Sequence, residues 1–372
     1  MSSRPPVVVL LGGPSAEHDV SVVSGTAIAE ALTVEGHAVA QVLIDLDGAW
    51  WWLPDGHRRA DRPAAGYDDP SALGAEGPFA VGAALDRLAA AQPAPIVAIA
   101  LHGPFGEDGT VQALLEAVGL AYTGSGVAAS AIGMDKTIFK RLCRGIGLPV
   151  VDWREVHARA WATDPADVRR ELEAFAAGAA DPRLMVKPAR LGSSLGMTLV
   201  HDPSELGVAL ETAFRHDTLV LAETYLPGAR DLEVAIIGNG PADLGLYGPG
   251  EIVSGHEFYD YAAKYTAGLS RTSTRAEVTD LQRASMHKIA RDAYRAIGAA
   301  GFARVDFLLA GDSIFLSEIN TIPGFTPISL FPTMPAEAGY TFGSVCSRIV
   351  ELALERHAAR AGQGLTPADL PR

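Results

Sequence analysis

Residues 7–13 read VVVLLGG: β-branched and leucine residues without a polar break, then two glycines. A strand apolar on both faces must be covered on both faces, as in a parallel sheet flanked by helices. From Ser21 to Leu32, Val23, Ile28, Ala31 and Leu32 recur at roughly helical spacing, and Gly36 follows the expected stop. Strand, glycine loop and helix open an α/β unit. PIVAIALHG (95–103) is a second buried strand ending in glycine. The fold class is α/β.

Residues 46–85 hold Trp50, Trp51 and Trp52 amid Pro, Gly and Ala, an irregular excursion with a short hairpin at Asp47-Gly48. From Ser125, helix-like steps through Ile132, Ile138, Leu142 and Ile146 stop at Gly147 and Pro149. Residues 155–182 read as a surface helix, 184–200 as two strands around a Gly/Ser loop, and 218–226 as another strand. Leu281, Ile289, Ala293 and Ile297 share one face of a helix closed by Gly298. ARVDFLLA (303–310), the turn Gly311-Asp312 and IFLSEIN (314–320) form a hairpin. A last amphipathic helix comes after them.

At 372 residues the chain is long enough for two or three domains. Its 30 basic and 44 acidic residues give a formal charge of −14, which argues against a broad grip on nucleic acid or anionic lipid. A small basic pocket stays compatible with that charge. Only Cys143 and Cys346 occur, without metal-ligand spacing, which suits a reducing compartment. The uncharged stretch Leu88–Gly106 carries Pro93, Pro95, Pro104, Gln92 and His102, wrong for a lipid-exposed helix. Val7–Leu11 is too short for a signal-peptide core. The expectation is a soluble cytoplasmic protein with neither nucleic-acid nor membrane partner.

The hairpin is the sharpest chemical signal. Alternation puts Arg304 and Asp306 on one face, and Glu318 and Asn320 on one face of the partner strand. If register joins the faces, two carboxylates, an amide oxygen and a guanidinium converge. Oxygen ligands suit Mg²⁺, which takes one or two carboxylates plus substrate phosphates. The competing reading is a solvated face with an ion pair.

GSSLG (192–196) matches G-x-S-x-G, with Ser194 as a hydrolase nucleophile, but that elbow needs a following helix and MTLV reads as strand. It also reads as a phosphate-covering loop beside Lys187, or as a plain turn. HGPFGEDG (102–109) offers His102, Glu107 and Asp108 as a weak metal set, although a helix cap accounts for Asp108. GGPSAEHD is not G-x-G-x-x-G, so a dinucleotide site is unsupported. In it, Glu17 suits a substrate ammonium or, equally, a helix start.

Together LLGGPSAEHDVS, ALHGPFGEDGTVQ, YTGSGVAASAIGMDK, VKPARLGSSLGM, FYDYAAKY, and ARVDF followed by SEINTIPGFTPISLFP resemble the D-alanine–D-alanine ligase family of the ATP-grasp superfamily. They stand in the family's order along nearly the whole chain. The resemblance implies an α/β three-domain ATP-grasp fold. The domains expected are 1–124, a Rossmann-like N-terminal substrate domain, 125–223 central and 224–372 C-terminal, with ATP between the last two.

It implies roles as well. Lys136 and Lys187 match the nucleotide-phosphate lysines, Glu223 and Leu226 the adenine-contacting strand, and Lys264 the mobile-loop lysine near the γ-phosphate. Asp306, Glu318 and Asn320 match the ligands of Mg²⁺, with Mn²⁺ as the alternative ion. Arg304 matches the arginine that steadies the acyl phosphate. Glu17 faces the first substrate's ammonium, and Ser193 and Tyr265 complete its trio. Gly324 and Ser329 match groups at the oxyanion and the second carboxylate, and His102 an active-site histidine. Two positions depart from the pattern. Gly228-Ala229-Arg230-Asp231-Leu232-Glu233 has one extra residue and puts Asp231 where a ribose-binding Glu is expected. Arg275-Ala276 replaces Pro-Ala after the lid loop.

The implied reaction is two-step amide ligation of D-alanine with ATP in peptidoglycan precursor synthesis, by a homodimer. The rivals are a related ligase with an altered second substrate (a D-hydroxy acid, D-Ser or a natural-product amine) and a serine hydrolase using Ser194. Tyr265 in AAKY favours an amino acid as acceptor, because the D-lactate-using relatives replace this tyrosine.

Overall fold

The computed structural model describes residues 4–240, 243–254 and 270–361, which form three sheets. In the first, β1 (Val7–Gly12) runs parallel to both β2 (Val39–Ile44) and β5 (Ile96–Ile99). All six β1 residues are buried, and alternation explains how. Val7 and Val9 pack with Ile28 and Leu32 of α1 (His18–Val34) and with Val345 and Ile349 of the last helix, Phe342–Ala361. Val8 and Leu10 face Leu85 and Leu88 of α2 (Val81–Ala90) and Val111 and Leu115 of α3 (Thr110–Ala117).

The stretch 46–85 is more regular than its composition suggests. β3 (Trp50–Trp52) and β4 (Glu76–Phe79) extend the sheet antiparallel, and α2 begins at Val81. The hairpin turn is where it is expected. Asp45 accepts the N–H groups of Asp47 and Ala49 and the indole N–H of Trp51.

From Ser125 two helices stand where one is expected: α4 (Val127–Met134) and α5 (Lys136–Gly145). Asp135 breaks the run, its carboxylate capping the N–H groups of Thr137 and Ile138 at 3.0 and 3.1 Å. The expected apolar face is also displaced. Ile138 and Ile146 are exposed, while Lys136, Phe139, Lys140 and Cys143 turn inward.

The second sheet is antiparallel, in the order β6 (Trp153–His157), β9 (Leu219–Thr224), β7 (Leu184–Pro188), β8 (Thr198–Val200). The expected surface helix is two: α6 (Ala158–Thr163) and α7 (Pro165–Ala177). Leu172 of α7 and Leu210 of α8 (Leu206–Phe214) share this sheet's core.

The third sheet runs β12 (Ser270–Ser273), β11 (Gly245–Ser254), β10 (Arg230–Ile237), β13 (Phe302–Ala310), β14 (Ser313–Asn320). Val305, Phe307 and Leu309 pack with Met286, Ala290, Ala293 and Tyr294 of helix Asp280–Ala296. Leu281, expected on that face, sits in the helix's first turn and is exposed. The alternate residues of β13 and β10 are left for the site. Among the described residues no helix is long and apolar enough to cross a membrane.

Candidate active site

Register brings the hairpin faces together. Arg304 pairs with Asn320 and Asp306 with Glu318, and a bulge intervenes before Phe307 meets Leu316. On the other side β10 sets Glu233 opposite Asp306. Asp306 grips Arg304 as a fork, Nε to Oδ1 and Nη2 to Oδ2, both 2.7 Å. Glu233 Oε1 lies 3.2 Å from the same Nε. Asn320 donates its amide to Asp306 Oδ2 at 3.0 Å. Burial opposes the guanidinium charge, but Asp306 and Glu233 outweigh it and hold its pKa well above the usual value.

Lys136 opens α5. Its Nζ lies 3.1 Å from Glu318 Oε2 and donates to the Leu191 carbonyl at 2.9 Å. Burial works against this ammonium, and Glu318 more than restores it. Lys187, near the end of β7, lies 2.8 Å from Glu223 Oε2 at the end of β9. Lys140 reaches the other oxygen of Glu223 at 3.0 Å.

One cleft collects these groups. Lys136, Lys187 and Arg304 line it with Glu223, Asp231, Glu233, Asp306 and Glu318, and Ser194 stands at its wall. Met185, Leu226, Ile252 and Leu308 give it an apolar part. Among the described residues, five carboxylates face three cations there, so a polyphosphate alone would meet excess negative charge. A divalent cation corrects that deficit, and Asp306, Glu318 and the Asn320 amide offer it hard oxygen donors. Among the described residues no trio of His, Cys, Asp and Glu is arranged to hold a metal by itself. A metal here would need substrate oxygens to complete its shell, as Mg²⁺ on phosphates does. The residues fit the ion.

A second group adjoins the cleft. Glu17 stands at the N-cap of α1, where a negative charge suits the helix start, but makes no side-chain cap bond. It accepts the hydroxyl of Ser193 instead. Its Oε2 is buried with no hydrogen-bond partner among the described residues. Gly103 and Gly192 leave the room, since a Cβ at either would lie 2.7 Å from that oxygen. Ser193 and Ser194 adopt φ of 51° and 56°, a conformation that L residues occupy at a cost. That geometry turns consecutive serines to different neighbours, Glu17 and the cleft. The loop runs on into strand β8 and not into a helix, so the nucleophile elbow is not formed.

HGPFGEDG is a clamp and not a metal set. His102 Nδ1 is 3.0 Å from the Ile322 carbonyl and Nε2 is 3.0 Å from Ser24 Oγ. Burial lowers the His102 pKa, so the neutral ring donates to the carbonyl and accepts from the hydroxyl. Glu107 accepts the N–H of Gly103 at 2.7 Å and of Ile322 at 3.3 Å. Burial first, then the charge of Glu17, pushes its carboxyl up to about 8. Asp108 accepts the N–H groups of Phe105 and Thr110. The clamped segment leads to Gly324, where a Cβ would lie 3.5 Å from Ser329 Oγ, so those two predicted residues adjoin. Lys264 and Tyr265 lie outside the described residues.

Sequence patterns assign no role to Lys140 or Glu233. Parity along β10 does point to Glu233, which shares a face with Asp231. Lys140 gives no signal, because a lysine on a helix is ordinarily solvated.

A four-stranded and a five-stranded antiparallel sheet flanking a charged cleft, preceded by a parallel-strand unit, make this an ATP-grasp fold. The family model described as D-ala D-ala ligase N-terminus matches residues 6–125, and that described as D-ala D-ala ligase C-terminus matches 142–351. The chain belongs to the D-alanine–D-alanine ligase family. It is 39% identical to the D-alanine–D-alanine ligase of Kineococcus radiotolerans, over 96% of this chain and 99% of that one. Identity to the Kocuria rhizophila ligase is 37%, over 95% of each. Two solved structures superpose with TM-scores of 0.78. They are the D-alanine–D-alanine ligase from Coxiella burnetii (29% identity, 97% of each chain) and the VanG D-Ala:D-Ser ligase from Enterococcus faecalis (27%, 94% of this chain and 99% of that).

Proposed function

We propose that the chain joins two D-alanines into D-alanyl-D-alanine, consuming ATP and releasing ADP and phosphate, to supply peptidoglycan precursors. One observation carries the reading beyond family membership. Ser193 binds Glu17, whose second oxygen is unpartnered among the described residues, while Ser194 lines the cleft with the phosphate-type lysines. One short loop thus joins an ammonium-type site to a polyphosphate-type site, as a ligase that activates an amino acid with ATP requires.

Glu17 receives the ammonium of the first D-alanine, with Ser193 orienting the carboxylate. That substrate's carboxylate attacks the γ-phosphoryl group. Lys136, Lys187 and Lys264 neutralise the phosphates, because phosphoryl transfer depends on positioning and charge more than on covalent help. Asp306, Glu318 and Asn320 would hold Mg²⁺ or Mn²⁺, which when bound supplies positive charge at the phosphates. Arg304, aimed by Glu233, steadies the acyl phosphate. The second amine then displaces phosphate, with Gly324 and Ser329 at the oxyanion and the second carboxylate. Tyr265 completes the trio with Glu17 and Ser193. Glu223 and Leu226 take adenine and Asp231 takes ribose. His102 engages both nitrogens within the protein, so it acts by holding the Ile322 peptide.

On this reading the chain divides at 124 and 223, with nucleotide between the last two units, and works as a cytoplasmic homodimer. ADP release is measured with ATP, Mg²⁺ and a panel of D-amino and D-hydroxy acids. Release that depends on D-alanine supports the reading, and none with D-alanine refutes it.

A further inference from the structure

We propose that Lys140 is a positioning residue for nucleotide binding, holding one oxygen of Glu223 so that the Lys187 ammonium is available to the phosphates. The inference rests on the cleft being the nucleotide site.

Lys140 does not line the cleft, whereas Glu223 and Lys187 do. It sits behind them on α5, its side chain 1% exposed. Trp153 presents its ring 5.5 Å from Nζ. Nζ lies 3.0 Å from Glu223 Oε1, yet neither atom has an aligned hydrogen bond among the described residues. Burying an ammonium this poorly hydrogen-bonded is costly, and a methionine would fill the same space without the cost. What lysine adds at that point is its charge.

A lone Lys187–Glu223 pair is neutral and offers a phosphate little. It is also self-locking, because turning Lys187 toward an anion would strip a buried carboxylate of its counter-ion. With Lys140 on the second oxygen the trio carries one net positive charge, and Glu223 stays paired when Lys187 turns. Burial opposes the Glu223 charge, but the two lysines still hold its pKa below the usual range. Burial lowers the pKa of Lys140, and Glu223 acts against that.

The test compares wild type with Lys140→Met. Mg–ADP affinity, by calorimetry, is expected to fall roughly ten- to a hundredfold, and KM for ATP to rise alike. KM for D-alanine, and kcat at saturating ATP, should stay within about threefold of wild type. The melting temperature should change little, since Glu223 keeps Lys187 as its counter-ion and the cost of desolvating the Lys140 ammonium is gone. A folded variant with ADP affinity within about twofold of wild type overturns the proposal. Equal losses for ATP and D-alanine overturn it too, as they report general damage. If Lys140→Met gives no cooperative melt, Lys140→Gln is judged by the same criteria. Wild type that binds no ADP refutes the nucleotide reading of the cleft, and this proposal with it. Wild type that binds ADP beside an unaffected variant refutes this proposal alone.

Discussion

The ammonium of Lys136 lies 3.1 Å from Glu318, so a phosphate-type cation and a metal-type anion neutralise each other. The same holds along β13, where Asp306 grips Arg304. In both pairs a residue proposed for the phosphates is held by one proposed for the metal. Mg²⁺ and nucleotide arriving together can exchange those partners at little net cost, whereas either alone strands a charge.

Glu318→Gln tests this exchange. Removing the carboxylate takes away a proposed metal ligand and the counter-ion of Lys136 together. kcat should fall by about a hundredfold or more, with the fold retained by circular dichroism. An unchanged rate at saturating Mg²⁺ removes the metal assignment.

Ser193→Ala deletes the hydroxyl that donates to the Glu17 carboxylate. KM for D-alanine should rise roughly tenfold while ADP affinity holds. Ser194, in the same loop, should not be labelled by a fluorophosphonate. Stoichiometric labelling would restore the hydrolase reading.

Glu107 predicts a pH dependence. Its carboxyl titrates at about 8 in the fold, against about 4.3 when unfolded. Between these values the folded state holds the extra proton, so stability falls as pH rises from about 4.3 through about 8. Glu107→Gln cannot ionise. Its melting temperature should therefore gain on wild type between pH 6 and pH 9, the gap measured by scanning calorimetry. A constant gap refutes the assignment.

The acceptor is tested through Tyr265. Wild type should prefer D-alanine over D-lactate at pH 7. Tyr265→Phe should weaken D-alanine and raise relative D-lactate use, most at lower pH. Product analysis showing wild type preferring D-lactate would refute the dipeptide reading.

Local pattern carried much of this protein. The unbroken run at Val7–Leu11, the alternation of Arg304 and Asp306 against Glu318 and Asn320, and the glycine-serine loop at 192–196 were all legible in one dimension. Parity and turn chemistry act between near neighbours, so residue order alone specifies them. Tertiary structure decided what depends on which face meets which neighbour. Periodicity put Ile138 and Ile146 on the buried side of α5, but the cap at Asp135 and the partner Glu223 turned Lys136 and Lys140 inward instead. Glu107 and His102 engage the backbone N–H and C=O of Ile322, 215 and 220 residues away. Such contacts between distant segments leave no local trace, because only the fold delivers the hydrogen-bond partners that a buried polar group requires.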